Sequence, residues 1–253
     1  MKRIVVKVGS HVLNENGNLA RERISNLCQF IAKLRQKYEV ILVSSGAVAA
    51  GYEKLKLDKN ILSNKQALAS LGQAYLMSVY QKKLALHDII PAQILLNGDD
   101  FDSRKKTKHA KNVIEVLLKN RALPIINEND TTAIEELVFG DNDQLSAHVA
   151  YYFNANMLVI LSDIDGYYDK NPQTDSFAKI KKIVHHIDES ELILPCNPNG
   201  EFATGGIVTK LKAAKFLLEK NIKMFLASGF DLSDVESFLL NNIHKKGTLF
   251  KCE

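Results

Sequence analysis

Val40-Ile41-Leu42-Val43-Ser44-Ser45-Gly46-Ala47 is the stretch that decides the fold class. Four consecutive apolar residues without polar alternation read as a strand covered on both faces. The strand ends abruptly in small residues, the composition of a turn into a helix. Upstream, Ile24, Leu27, Cys28, Ile31 and Leu34 recur at helical spacing, and Ile4 to Val8 reads as another buried strand. Downstream the same alternation continues. A long helix is predicted from about Ser63 to Leu86, a strand over Ile89 to Leu96 with Pro91 near its start, and a helix ending in Val113 to Leu118. A strand over Leu123 to Ile126 follows, then a helix over Leu145 to Phe153 and a strand over Met157 to Leu161. Gly206 to Glu219 reads as a helix, Ile222 to Ala227 as a strand, Asp234 to Leu240 as a short helix and Thr248 to Phe250 as an edge strand. Strands alternating with helices predict an α/β fold with a mostly parallel sheet covered on both faces. No Pro/Gly/Ser-rich linker divides the chain, so one domain with two lobes is expected.

Composition narrows the class. Hydrophobic residues are 46% and charged residues 25% of the 253, which excludes disordered and fibrous proteins. The net charge of +4 is small and dispersed. Its densest run, Arg104 to Lys111, reads as a solvated helix face, against nucleic-acid binding as the rival. Cys28, Cys196 and Cys252 show no CxxC spacing. They predict a reducing compartment without a disulfide framework, with Cys28 in the core. Met1 to Gly9 is too short and charged for a signal peptide, and no apolar run approaches a membrane span. A cytoplasmic location is expected.

Several polar clusters fall just past the strands, where open α/β sheets bind ligands. In Lys7-Val8-Gly9-Ser10 a lysine sits inside an apolar strand, followed by a glycine that permits close approach. Such a lysine can meet a phosphate as a point charge; a solvated strand-end lysine is the alternative. Ser44-Ser45-Gly46-Ala47 reads either as an anion site at a helix start or as a serine N-cap. No GxSxG elbow surrounds Ser45. Asn127-Glu128-Asn129-Asp130 and Gly140-Asp141-Asn142-Asp143 are dense acid-amide clusters suited to a polar substrate. Asp130 can accept from an ammonium group, and the amide of Asn142 can donate to a carboxylate. The spacing of an EF-hand loop is missing. Ser162-Asp163-Ile164-Asp165-Gly166-Tyr167-Tyr168 reads as a wall for a base or ribose, or as a turn with packed tyrosines. Ala203-Thr204-Gly205-Gly206 opens a helix that carries Lys210, a phosphate cradle without Walker A spacing or a plain helix entry with a surface lysine. Phosphoryl transfer needs chiefly positioning and charge neutralisation, which two lysines, glycine-rich backbone and an orienting carboxylate supply. His185-His186, the one histidine pair, reads as surface.

Taken in this order, Ser45-Gly46-Ala47, Asn127–Asp130, Gly140–Asp143 and Thr204–Lys210 resemble the amino acid kinase family, nearly end to end from Val5 to about Phe250. The resemblance is to the members that phosphorylate the side-chain carboxylate of L-glutamate, giving L-glutamyl 5-phosphate in the first step of proline biosynthesis. It implies a three-layer α/β/α sandwich with about eight main strands. An N-terminal lobe, about residues 1–150, would bind glutamate, and a C-terminal lobe, about 151–253, would bind ATP. Lys7, Lys210 and Asp143 would be catalytic: the lysines at the transferring phosphate, Asp143 orienting them. Ser45, Asp130 and Asn142 would hold glutamate. Lys7, Ser162, Asp163, Thr204, Gly205, Gly206, Ile207, Val208, Thr209 and Lys210 would line the ATP site. Mg2+ would bridge the ATP phosphates, with no dedicated protein metal site.

The resemblance also implies a homodimer or homotetramer, no nucleic-acid or membrane partner, and hand-off of the labile product to glutamyl phosphate reductase. Many bacterial relatives carry a C-terminal PUA domain that this chain, ending at Glu253, is expected to lack. The phosphate loop reads Ala203 where the family usually has glycine. The rivals are another family member, acting on acetylglutamate, aspartate or carbamate, and a non-catalytic amino acid or nucleotide sensor. The retained Lys7 and Lys210 argue against the sensor.

Overall fold

The computed structural model describes residues 1–133, 142–172, 174–192 and 206–253. Its strands are β1 (Lys2–Val8), β2 (Asn14–Glu15), β3 (Asn18–Leu19), β4 (Tyr38–Ser44), β5 (Pro91–Leu96), β6 (Leu123–Glu128), β7 (Met157–Ser162), β8 (Ile183–Val184), β9 (Lys223–Ser228) and β10 (Thr248–Phe250). Its helices are α1 (Ser10–Leu13), α2 (Arg21–Leu34), α3 (Ala47–Lys54), α4 (Leu62–Ala85), α5 (Arg104–Lys119), α6 (Asn142–Tyr152), α7 (Ile207–Glu219) and α8 (Ser233–Asn241).

Eight strands form one sheet in the order β5-β6-β4-β1-β7-β9-β10-β8. Pairing is parallel throughout except between β9 and β10. Side chains alternate along β1. Ile4, Val6 and Val8 enter one core with α2, α4 and α8, while Val5 enters the other with α5, α6 and α7. Both faces are thus covered, as the alternation predicted, and the three layers that the resemblance implied are present. Cys28 is fully buried in α2, and Arg104 to Lys111 lies on the outer face of α5. Cys196 lies outside the described residues.

Pro91 opens β5, an edge strand, where a missing N–H breaks no ladder on the open side. The other edge is β8, so Thr248–Phe250 is not the edge strand its sequence suggested. It pairs with β9 on one side and β8 on the other. Helix α1, the β2–β3 hairpin, strand β8 and the extent of helix α3 go beyond the elements predicted from the sequence. The β2–β3 hairpin turns through Asn16 and Gly17 at φ 52° and 77°, and β8 has two residues. Helix α3 lies so close to α4 that a Cβ on Gly72 would fall 1.8 Å from the Ala47 carbonyl oxygen. One on Gly51 would fall 1.9 Å from that of Leu68.

The four strands followed by polar clusters in the sequence, β6, β4, β1 and β7, are consecutive in the sheet. Parallel pairing puts their C-terminal ends at one edge. Clusters far apart along the chain thereby share one end of the sheet, where open α/β sheets bind ligands.

Candidate active site

Lys7 sits one residue before the end of β1, on the face it shares with Val5. The same alternation that buries Val5 under α6 and α7 aims the lysine at the first turns of those helices. Its Nζ lies 2.6 Å from Oδ1 of Asp143. The other carboxylate oxygen of Asp143 meets Nζ of Lys210 at 3.2 Å and accepts from Thr209 Oγ1 at 2.8 Å. Lys210 also donates to the Gly206 carbonyl, 3.1 Å away at the start of α7. Lys7, Asp143 and Lys210 are all buried. The surface-lysine reading of Lys210 therefore fails, as does that of a solvated Lys7.

Burial alone would push the Asp143 carboxyl up. Lys7 and Lys210 more than offset it and hold the group at about 2. Its place in the first turn of α6 favours the same charge. One carboxylate thus fixes two ammonium groups side by side, an arrangement suited to polyanionic oxygens.

Beside this cluster lies a pocket of amides. Asn142 donates through Nδ2 to Ser45 Oγ and to Asn127 Oδ1, both at 2.9 Å. Asn127 donates in turn to Gln73 Oε1 of α4 at 2.7 Å. The amide hydrogens of Asn142 that the sequence offered to a substrate carboxylate are thus given to Ser45 and Asn127. Ser45 Oγ accepts there and keeps its O–H as a donor. Ser45 is no N-cap: Gly46 occupies that position at φ 101°, and no side chain caps α3. Asp130, two residues past β6, is buried, and its Oδ1 has no partner among the described residues. Desolvation pushes its carboxyl up to about 7.

On the other flank, Ser162 closes β7 and donates to Asp163 Oδ1 at 2.8 Å. Asp163 Oδ2 pairs with His11 Nδ1 at 2.8 Å. The tyrosines of this turn are packed rather than open. Tyr167 stacks on Phe250 and bonds Glu191, and Tyr168 donates to Asp165 at 2.8 Å. Tyr167 belongs to the core and Tyr168 is half-buried. Gly206, Ile207, Val208 and Thr209 lead into Lys210, while Gly140, Asp141, Ala203, Thr204 and Gly205 lie outside the described residues. His185 and His186 are exposed.

Three residues of the site escaped the sequence reading. Asn127 lay within a recognised cluster, but its bonds to Asn142 and Gln73 are tertiary. Gln73 is one polar residue on a long helix, and His11 follows a recognised motif without standing out in it.

The amino acid kinase family matches residues 2–228. The chain is 59% identical to glutamate 5-kinase from Leishmania donovani, over 99% of this chain and 95% of that one. It is 58% identical to glutamate 5-kinase from Wolinella succinogenes, over 99% and 98%. Among solved structures it is similar to carbamate kinase from Giardia lamblia bound to AMP-PNP, at TM-score 0.66 and 16% identity over 100% and 99% of the two chains. UMP kinase from Ureaplasma parvum gives TM-score 0.65 at 15% identity, over 99% and 98%. Those two structures speak for the fold, and the match along nearly the whole sequence agrees with them: this chain belongs to the amino acid kinase family.

Proposed function

We infer that this chain transfers the γ-phosphoryl group of ATP to the side-chain carboxylate of L-glutamate, giving L-glutamyl 5-phosphate, the first step of proline biosynthesis. The observation that carries the reading is the buried Lys7–Asp143–Lys210 cluster beside the amide pocket. The near-full-length relatives support glutamate as the acceptor.

In this reading Asp130 receives the substrate ammonium, which answers the unpartnered Oδ1. Ser45 donates to a substrate oxygen, with Asn142 and Asn127 holding its hydroxyl in place. The γ-carboxylate, ionised near neutral pH, needs no general base. Its oxygen forms a bond to the γ-phosphorus as the bond to the bridging oxygen of ADP breaks in line. Lys7 and Lys210 offset the charge on the equatorial oxygens, and Asp143 holds them at the required spacing. Ser162, Asp163 and residues 206–210 flank the nucleotide. Mg2+ neutralises the phosphates when bound. Asp143 is committed to two lysines and Thr209, and no group of three metal-ligating side chains stands among the described residues. With Asp143 so committed and two ammonium groups beside it, the residues present fit phosphate oxygens that carry the ion with them.

The same reading assigns glutamate to the N-terminal lobe and ATP to the C-terminal lobe, in a cytoplasmic homodimer or homotetramer that passes its labile product to a reductase. No helix among the described residues is long and apolar enough to cross a membrane.

The test is ADP release by the purified protein with Mg-ATP. Glutamate is compared with aspartate, N-acetylglutamate, carbamate and UMP, with hydroxylamine as acyl-phosphate trap. Turnover with glutamate alone, giving a hydroxamate, is the expected result. Turnover with another acceptor would overturn the roles of Ser45, Asp130 and Asn142. Silence with all of them would favour a sensor.

A further inference from the structure

His11 stands in the short helix α1, two residues past Gly9, at the C-terminal end of β1. The Cβ position of Gly9 is 3.8 Å from Lys7 Nζ, so this turn runs along the buried cluster. Among the described residues the ring is held at one point only. Nδ1 is 2.8 Å from Asp163 Oδ2, while Asp163 Oδ1 accepts from Ser162 at 2.8 Å. Ser162 is buried and closes β7, so the carboxylate that orients the ring is itself anchored to the sheet. No partner of Nε2 is present among the described residues.

An exposed ion pair contributes little to folding. The imidazole side chain is 72% exposed, so its orientation does little for stability. The geometry has a chemical consequence instead. With Nδ1–H directed at Asp163, a neutral ring presents Nε2 as an acceptor, and only the imidazolium presents a second N–H. The charged groups acting on the ring are Asp163, which favours the imidazolium, and Lys7 and Lys210, which oppose it. The bond to Asp163 is the largest of these influences, and the imidazole is raised above its ordinary value. Lys7 and Lys210 oppose the charge of the ring from the buried cluster that the Gly9 turn borders.

We propose that His11, oriented by Asp163, is a third cationic contact for the phosphate chain of the nucleotide, at the outer rim of the site whose floor is Lys7 and Lys210. This rests on the phosphoryl-transfer reading. It makes Asp163 a positioning residue for an imidazolium. It also makes nucleotide affinity, unlike the chemistry at the buried lysines, dependent on pH in the neutral range.

The test is calorimetric binding of Mg-ADP, without acceptor, between pH 6 and 9. It compares wild type with His11→Asn, His11→Lys and Asp163→Asn. Titration of ADP itself is common to all four and cancels in their ratios. An exposed charge-assisted bond is worth about 5–10-fold in affinity. His11→Asn is therefore expected to bind about 5–10-fold more weakly than wild type at pH 6.5 and equally at pH 9. His11→Lys is expected to bind tightly with the pH step abolished. Asp163→Asn is expected to move the step to lower pH, since the carboxylate that favours the imidazolium is gone. Equal binding by wild type and His11→Asn at every pH would overturn the proposal. So would a step that stays in place in Asp163→Asn. A wild-type protein that binds no Mg-ADP would overturn both this proposal and the phosphoryl-transfer reading.

Discussion

Replacing Asp143 by Asn removes one charge and almost no volume, and it leaves two buried ammonium groups facing each other. Asp143 is 1% exposed, with Lys7 at 2.6 Å, Lys210 at 3.2 Å and Thr209 at 2.8 Å. Its carboxyl is held at about 2 against an ordinary 3.8, despite a burial cost in the opposite direction. A difference of that size corresponds to about 2 kcal/mol of native stability at neutral pH. Breaking a buried ion pair typically costs about 3–5 kcal/mol, because the partner charge stays buried. Urea unfolding at pH 7 is therefore expected to show a loss of about 2–4 kcal/mol. The pH dependence has a definite sign. The folded group titrates below the unfolded one, so its contribution is complete above about pH 4 and lost as the pH falls through about 2. The gap between the two proteins should close over that window. The kcat should fall by roughly 10²-fold or more as the ammonium groups lose their spacing. An Asp143→Asn variant as stable as wild type at pH 7 would refute the reasoning. The lysines would then have another route to solvation, and Asp143 would not be their anchor.

Three further substitutions test other parts of the structure. Lys210→Ala should lower kcat by roughly 10²-fold or more, with the KM for glutamate nearly unchanged in steady-state assays. Asp130→Asn should raise the KM for glutamate by roughly 30-fold, the loss expected from one buried charge pair worth about 2 kcal/mol. The same change should raise the melting temperature at pH 8 but not at pH 4. A carboxyl pushed up to about 7 by burial costs stability as the pH rises from its unfolded value through 7. Gly72→Ala should destabilise the protein by roughly 3 kcal/mol in denaturant unfolding. Its Cβ cannot be accommodated 1.8 Å from the Ala47 carbonyl unless α3 and α4 separate.

Much of the fold was legible because parallel strands buried on both faces are short apolar runs, and amphipathic helices between them repeat at another period. What escaped lacks such a signal. Helix α3, Ala47–Lys54, is rich in small residues with Gly51 inside it, and it is defined by close approach to α4. Strand β8 has only two residues, too few for any periodicity. The β2–β3 hairpin did carry a local signal, Asn16-Gly17 at positive φ, that the reading passed over. Thr248–Phe250 was misplaced at the edge because nothing local announces that β8 pairs outside it.

The site divides in the same way. Lys7 stood out as a charge in an apolar strand, Ser45 in a run of small residues at a strand end, Asn142 and Asp143 in a dense acid-amide cluster, and Lys210 one turn past a glycine pair that opens a helix. Gln73 and His11 did not. Their importance comes from Asn127 and Asp163, 54 and 152 positions away, and only the folded chain brings those together.

The central claim is that a carboxylate oxygen of glutamate attacks the γ-phosphorus of ATP directly. It is tested by supplying glutamate labelled with 18O in its γ-carboxylate, together with Mg-ATP and hydroxylamine, and measuring the label in the inorganic phosphate released. Hydroxylamine attacks the acyl carbon and expels phosphate that keeps the bridging oxygen. The account therefore predicts one 18O atom in each phosphate that accompanies hydroxamate. Phosphate free of label, with ADP still accumulating, would mean that water or another group takes the phosphoryl, and would contradict the account.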